Sequence, residues 1–266
     1  RSYEKIESLL HDSSLVFDLL ILPELFSTPY FCQEQSLENF HYAQDFYGSD
    51  IAFLKKIARS YKAFVSTTIF EEKAPGLYAN TAVTISPTEE IVALYRKAHI
   101  PQDPHFEEKF YFQPGNCLPP LVAQKKISFA TAICWDQWFP ELSRCLTLSG
   151  AHLVNYPTAI AWLEGEEKDF VDQLSAWQVV TQSQAITNGI YLSCVNRVGV
   201  EQKLHFWGHS HLTGPDGKTI IEFSTEQEGV QCAQLDKAFL SKTRTTWPFL
   251  RDRRPELYTP LTAETF

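Results

Sequence analysis

Two periods of apolar and polar positions run along the chain and mark out its elements. Residues 16–22 form a mostly apolar run of the kind that fills a buried strand, and the run stops at Pro23-Glu24. Over 50–62 the apolar positions Ile51, Leu54, Ile57 and Ala58 recur on one helical face. Residues 63–70 are rich in β-branched side chains and predict a strand. The segments 80–85 and 90–95 flank a Ser86-Pro87 turn as the arms of a hairpin. A strand over 126–133 ends just before Cys134. The stretch 140–149 predicts a helix with proline in its first turn and Gly150 as its stop. A strand at 152–155 and a long helix at 169–188, closed by Gly189, follow. Strands at 190–195, around Leu212, at 219–223 and at 230–235 complete the pattern, with a turn at Gly214-Pro215-Asp216-Gly217. Crossovers suited to parallel strands occur beside hairpins, so the prediction is one α/β domain, residues 1–266, with two packed sheets.

Composition narrows the class. At 266 residues and 44% hydrophobic, the chain can bury a full core and is not a disordered segment. Its 32 acidic residues outnumber 23 basic ones, which argues against a sequence-independent nucleic-acid partner. The charge is uneven: residues 1–235 carry 17 basic against 28 acidic residues, while the extension 236–266 carries six basic and four acidic. That extension reads either as a strap over the surface or as an arm packed on another subunit. No apolar run is long enough to cross a membrane as a helix, and the charged, periodic start at 1–11 is no signal peptide. Six scattered cysteines without a C-x-x-C pair predict reduced thiols in a cytoplasmic protein. The chain contains no Met, not even at position 1, so it is expected to lack its own N-terminal segment.

Three places put a reactive side chain just beyond a buried strand, where α/β sheets build their sites. Glu24 follows Leu20-Ile21-Leu22-Pro23; a carboxylate there would also suit the start of a helix. Lys97 follows the strand ending at Tyr95-Arg96, where a solvated edge lysine is the plain alternative. Cys134 follows Ala130-Thr131-Ala132-Ile133 and precedes a proline-started helix. A thiol at a helix N-terminus is expected to have a lowered pKa. Together the three supply a general base, a cationic stabiliser and a nucleophile, a full set for acyl transfer.

Those residues carry a resemblance. Leu22-Pro23-Glu24, Arg96-Lys97 and Cys134-Trp135-Asp136 stand in the chain order of the nitrilase, or carbon–nitrogen hydrolase, superfamily. Longer strings extend the likeness: Glu108-Lys109-Phe110-Tyr111-Phe112-Gln113-Pro114-Gly115, Tyr156-Pro157-Thr158-Ala159-Ile160 and Arg251-Asp252-Arg253-Arg254-Pro255. Within the superfamily they are most similar to the branch that hydrolyses N-carbamoylputrescine. The resemblance implies a four-layer αββα sandwich and a homo-oligomer, dimer or larger, with no cofactor and no metal. It also implies a catalytic set of Glu24, Lys97 and Cys134, with Glu108, eleven residues after Lys97, orienting the lysine or the substrate. The family's first strand, which precedes the first helix, has no counterpart in this chain.

The implied partner is a small carbamoyl-amine. Trp135, Trp138, Tyr30 and Phe31 would then narrow the pocket around an aliphatic chain, and aromatic faces attract ammonium groups. A carboxylate should meet the far, cationic end, and Glu164 or Glu166 is the candidate, although Glu164-Gly165-Glu166-Glu167 also reads as a solvated acidic loop. Alternatives are a β-ureidopropionase or an aliphatic amidase, and, in another class, a non-catalytic assembly or binding subunit on the same fold. His205, His209 and His211 lie close together without a carboxylate or thiol at metal-ligand spacing, so they read as an alternating strand.

Overall fold

Apolar runs become strands covered on both faces, and the amphipathic stretches become the helices that cover them. A computed structural model describes residues 2–125, 127–165 and 173–263. The chain opens in helix α1 (Ser2–Ser13), then builds a first sheet from β1 (Leu19–Ile21), β2 (Phe64–Ala74), β3 (Leu77–Ile85) and β4 (Ile91–Arg96). Its order is β1-β2-β3-β4, with β1 parallel to β2 and the others antiparallel. Helix α2 (Ser49–Tyr61) connects β1 to β2. Its apolar face packs Ile51, Leu54, Ile57 and Ala58 with Leu10 of α1 onto Val65, Ile69, Val83 and Ile85. The helix stops at Lys62, which is left-handed (φ 52°) and donates its N–H to the Ala58 and Arg59 carbonyls.

The second half repeats the logic. After the single turn α3 (Glu108–Tyr111) come β5 (Val122–Gln124), β6 (Ile127–Thr131), α4 (Pro140–Leu148), β7 (Leu153–Pro157) and β8 (Ala161–Leu163). Helix α5 (Gln173–Asn188) leads to β9 (Tyr191–Val195), β10 (Val198–Glu201), β11 (Leu204–Trp207), β12 (His211–Thr213) and β13 (Thr219–Glu222). The second sheet runs β13-β12-β9-β7-β6-β5, with β6, β7 and β9 mutually parallel. A small antiparallel sheet, β10-β11-β8, stands beside it. Helices α4 and α5 cover the second sheet through Leu142, Leu146, Trp177 and Ala185. The inner faces of the two sheets meet where Phe64 packs edge-on against Phe129 at 5.9 Å, and a Ser66–Thr131 hydroxyl pair at 2.8 Å joins β2 to β6. This is the four-layer αββα sandwich. Among the described residues no helix is long and apolar enough to cross a membrane.

Several predicted boundaries shift. The strand expected over 16–22 is only Leu19–Ile21, and the long helix is described from Gln173, so 169–172 lie outside the described residues. The strand expected at 230–235 does not form. That segment instead lines a trench of about 1170 Å³ together with Leu9, Phe17 and Leu20, where it has no neighbouring ladder to join. The trench lining does not include Glu24, Lys97 or Cys134. The C-terminal extension begins with α6 (Lys237–Thr246), anchored by buried Leu240. Arg244 of α6 also donates to the Gly189 and Ala151 carbonyls. Beyond α6 the backbone makes two short 3-10 turns, and Trp247, Phe249, Leu257 and Leu261 are exposed.

Candidate active site

Each of the three reactive residues sits where its strand ends, on backbone that is held in place. After β1, the Leu22 N–H still bonds to the Ser66 carbonyl at 3.1 Å, and Leu25 then turns left-handed (φ 49°) with its N–H on Thr68 Oγ1 at 2.8 Å. Glu24 is therefore fixed between two anchored residues. After β4, the Lys97 N–H donates to the Asn80 carbonyl at 2.9 Å, and the Lys97 carbonyl accepts the Gly115 N–H at 2.8 Å. A Cβ at Gly115 would lie 2.1 Å from the Arg96 carbonyl oxygen, so only glycine permits this close approach. After β6, Cys134 begins a 3-10 turn, Cys134–Trp138, with φ 38°. A left-handed non-glycine residue costs about 1–2 kcal/mol, a strain that surrounding structure holds at functional sites.

Their side chains converge. Lys97, Glu24 and Glu108 have essentially no exposed surface. The Lys97 ammonium donates to Glu24 Oε1 at 2.9 Å and to Glu108 Oε2 at 2.6 Å. Burial pulls the lysine down, but Glu108 and Glu24 outweigh it and hold the ammonium well above the usual lysine range. Glu108 is pushed up to about 7 by burial, against the pull of Lys97 and with the added repulsion of Glu24. Glu24 Oε1 also accepts the Asn80 side-chain amide at 2.7 Å, while Glu24 Oε2 is buried without a hydrogen-bond partner among the described residues. An open lone pair on a buried carboxylate is an acceptor waiting for a proton.

Cys134 lies within electrostatic reach of all three groups. Its thiol corrects the expectation of a lowered pKa. Burial pushes it well above the usual thiol range, Glu24 adds to that, and Lys97 opposes it. The turn Cys134–Trp138 is too short to present the field of a full helix, so desolvation wins. The resting group is a neutral thiol, which makes a nearby base necessary for attack.

The other expected residues fall into separate places. Tyr30 is fully buried; its hydroxyl donates to Glu108 Oε1 at 2.8 Å and its N–H to Glu201 Oε2 at 2.6 Å. Phe31 is core, stacked on Phe70 at 4.8 Å rather than open to a pocket. Trp135 and Trp138 are half-buried neighbours, 6.2 Å apart, beside the thiol on the same turn. Glu164 is exposed at the end of β8, its N–H on the Lys203 carbonyl, and Glu166 lies outside the described residues. Asn80, which grips Glu24, was missed by the sequence reading. It lies mid-strand, and nothing in its local pattern shows that β3 carries its side chain to the end of β1.

The carbon–nitrogen hydrolase family model matches residues 3–245. The chain is 35% identical over 250 residues to the N-carbamoylputrescine amidase of Solanum tuberosum, covering 91% of this chain and 82% of that protein. It is 35% identical over 245 residues to the citrullinase of Francisella tularensis, covering 90% and 85% respectively. In structure it is similar to a carbon–nitrogen hydrolase from Helicobacter pylori, with a TM-score of 0.93 and 34% identity over 100% of this chain and 92% of that one. The chain belongs to the carbon–nitrogen hydrolase, or nitrilase, superfamily. Within it, the protein is an amidohydrolase acting on non-peptide C–N bonds.

Proposed function

We propose that the protein hydrolyses the ureido group of N-carbamoylputrescine through an S-acyl intermediate on Cys134, releasing putrescine, carbon dioxide and ammonia. The observation that carries the mechanism is the buried Glu24–Lys97–Glu108 array beside Cys134, with Glu24 Oε2 left open. Glu24 takes the thiol proton as the sulfur adds to the ureido carbon. The carbonyl π electrons move to oxygen, and the oxyanion is met by Lys97 and the Trp135 N–H. An ammonium has three donors; two are committed to Glu24 and Glu108, and the third serves the oxyanion. Collapse of the adduct breaks a C–N bond, and the leaving nitrogen departs with the proton held by Glu24. Water, deprotonated by Glu24, then adds to the thioester carbon and expels the thiol. One water is consumed overall, and the carbamic acid formed falls apart to carbon dioxide and whichever of ammonia and putrescine did not leave in the first step.

The substrate rests on the amidase relative, and the equal identity to a citrullinase supports a second reading, a ureido amino acid. The two differ in the far end of the substrate. An amine end would be met by the Trp135 and Trp138 faces and by an acidic group such as Glu164; an amino-acid end would need a cation as well. The test is ammonia release from a panel of N-carbamoylputrescine, citrulline, N-carbamoyl-β-alanine and a simple aliphatic amide. Turnover of N-carbamoylputrescine should greatly exceed the rest. A preference for citrulline or N-carbamoyl-β-alanine would replace the substrate reading, and turnover retained by Cys134→Ser would sink the nucleophile.

A further inference from the structure

We propose that Asp136 is a positioning residue that locks the turn bearing Cys134 to the segment bearing Lys97, with Tyr95 and His99 as the points at which it grips that segment. The proposal deepens the function above and rests on its assignment of Cys134 and Lys97.

Asp136 has no exposed surface, so its carboxylate must find its partners within the protein. Oδ2 accepts the Ile133 N–H at 2.9 Å, from the residue immediately before Cys134. The same oxygen accepts the Tyr95 hydroxyl at 2.9 Å, and the Tyr95 oxygen in turn accepts the Ala98 N–H at 3.1 Å. Oδ1 accepts the His99 N–H at 3.2 Å and lies 2.7 Å from His99 Nδ1, the distance of an N–H donated to a carboxylate. The His99 ring also lies flat on Phe139, 3.7 Å away at an interplanar angle of 9°, where the catalytic turn ends. Among the described residues, every hydrogen-bond partner of this carboxylate thus belongs either to the Cys134 turn or to the residues flanking Lys97. Tyr95 and His99 stand two positions before and two after the lysine, on either side of it.

The physical consequence is a fixed distance between two strand ends that come from different sheets, β4 and β6. Glu24 and Glu108 hold the tip of Lys97, but the tip can meet an oxyanion formed at Cys134 only if the two backbones keep their register. The grip on Ile133 also steadies the left-handed Cys134 that follows. Loosening it would displace the oxyanion site from the nucleophile, because Glu24 and Glu108 keep the Lys97 tip where it is while the turn moves. Misplacement of about 1 Å at a reacting centre costs about a hundredfold in rate.

The test measures kcat, KM and thermal unfolding for the full chain carrying Tyr95→Phe, His99→Ala or His99→Asn, beside wild type and Cys134→Ser, on the best substrate of the panel. Tyr95→Phe and His99→Ala should each lower kcat by about tenfold or more with KM within about twofold. His99→Asn, whose side-chain amide can donate in place of Nδ1, should recover most of that kcat. A folded Tyr95→Phe with wild-type kcat, or His99→Asn no faster than His99→Ala, would overturn the proposal. A merely structural role would instead lower the melting temperature of all three without the rescue. Absence of turnover by wild type, or turnover by Cys134→Ser, would overturn the proposed function and this inference with it.

Discussion

Burial raises the proton affinity of Glu108, and replacing it with glutamine tests by how much. The carboxyl ionises near 4.5 when unperturbed but is pushed up to about 7 in the fold, because burial and the charge of Glu24 together exceed the pull of Lys97. Between those two values the native state therefore holds a proton that the unfolded chain releases. The unfolded state binds fewer protons, so stability falls as pH rises through this window. At 1.36 kcal/mol per pH unit of displacement, the loss is about 3 kcal/mol once the pH is above both values. Glu108→Gln keeps the shape of the protonated acid. Its carbonyl oxygen can accept from Lys97, and its amide can donate to the Tyr30 oxygen, replacing the contacts now made at 2.6 and 2.8 Å. Urea unfolding of both proteins from about pH 4.5 to about pH 8 gives the difference in stability, from which titrating groups away from the Glu24–Lys97–Glu108 array cancel. The variant should gain about 3 kcal/mol on wild type across that range. A difference that does not move with pH, or that moves in favour of wild type as pH rises, would refute the reasoning. It would mean that Lys97 dominates and keeps Glu108 ionised throughout.

Gly115→Ala should lower both stability and kcat, since the added Cβ would meet the Arg96 carbonyl at 2.1 Å and push the end of β4 that carries Lys97; wild-type values of both in calorimetry and ammonia release would count against this. Asn80→Ala removes the amide that Glu24 Oε1 accepts at 2.7 Å, and chemical denaturation should show a loss of about 1–3 kcal/mol for the buried acceptor left short of a donor. Deleting the chain after Thr246 removes Trp247, Phe249, Leu257 and Leu261, which a lone protomer exposes. If the extension is a subunit arm, light scattering should show a smaller assembly, and an unchanged mass would make it a strap over its own body.

Much of the fold could be read from local pattern because local pattern caused it. The face of Ile51, Leu54, Ile57 and Ala58 produced α2, the Ser86-Pro87 turn joined β3 to β4, and the proline at the start of α4 marks where that helix begins. Where the pattern failed, the missing ingredient was a neighbour. Residues 230–235 predict a strand, yet a strand exists only against another edge, and this segment borders a trench. Composition alone also cannot say which ring faces are covered: Phe31 stacks on Phe70 within the core, while buried Tyr30 reaches the candidate site through its hydroxyl on Glu108.

The sequence by itself determined the chemistry on offer and its order: an acid, an amine and a thiol, each one to three residues beyond a strand, in the order of a carbon–nitrogen hydrolase. Residue type sets what a side chain can do, and strand ends are legible from hydrophobic runs. Tertiary structure alone decided how that chemistry is set. It placed Lys97 between two carboxylates 73 and 11 residues away in the chain, left one oxygen of Glu24 open, and turned Tyr30 onto Glu108. It also reversed the expected state of Cys134, since the charge on a buried group depends on desolvation and on partners brought from distant segments, neither of which is written into the residues beside it.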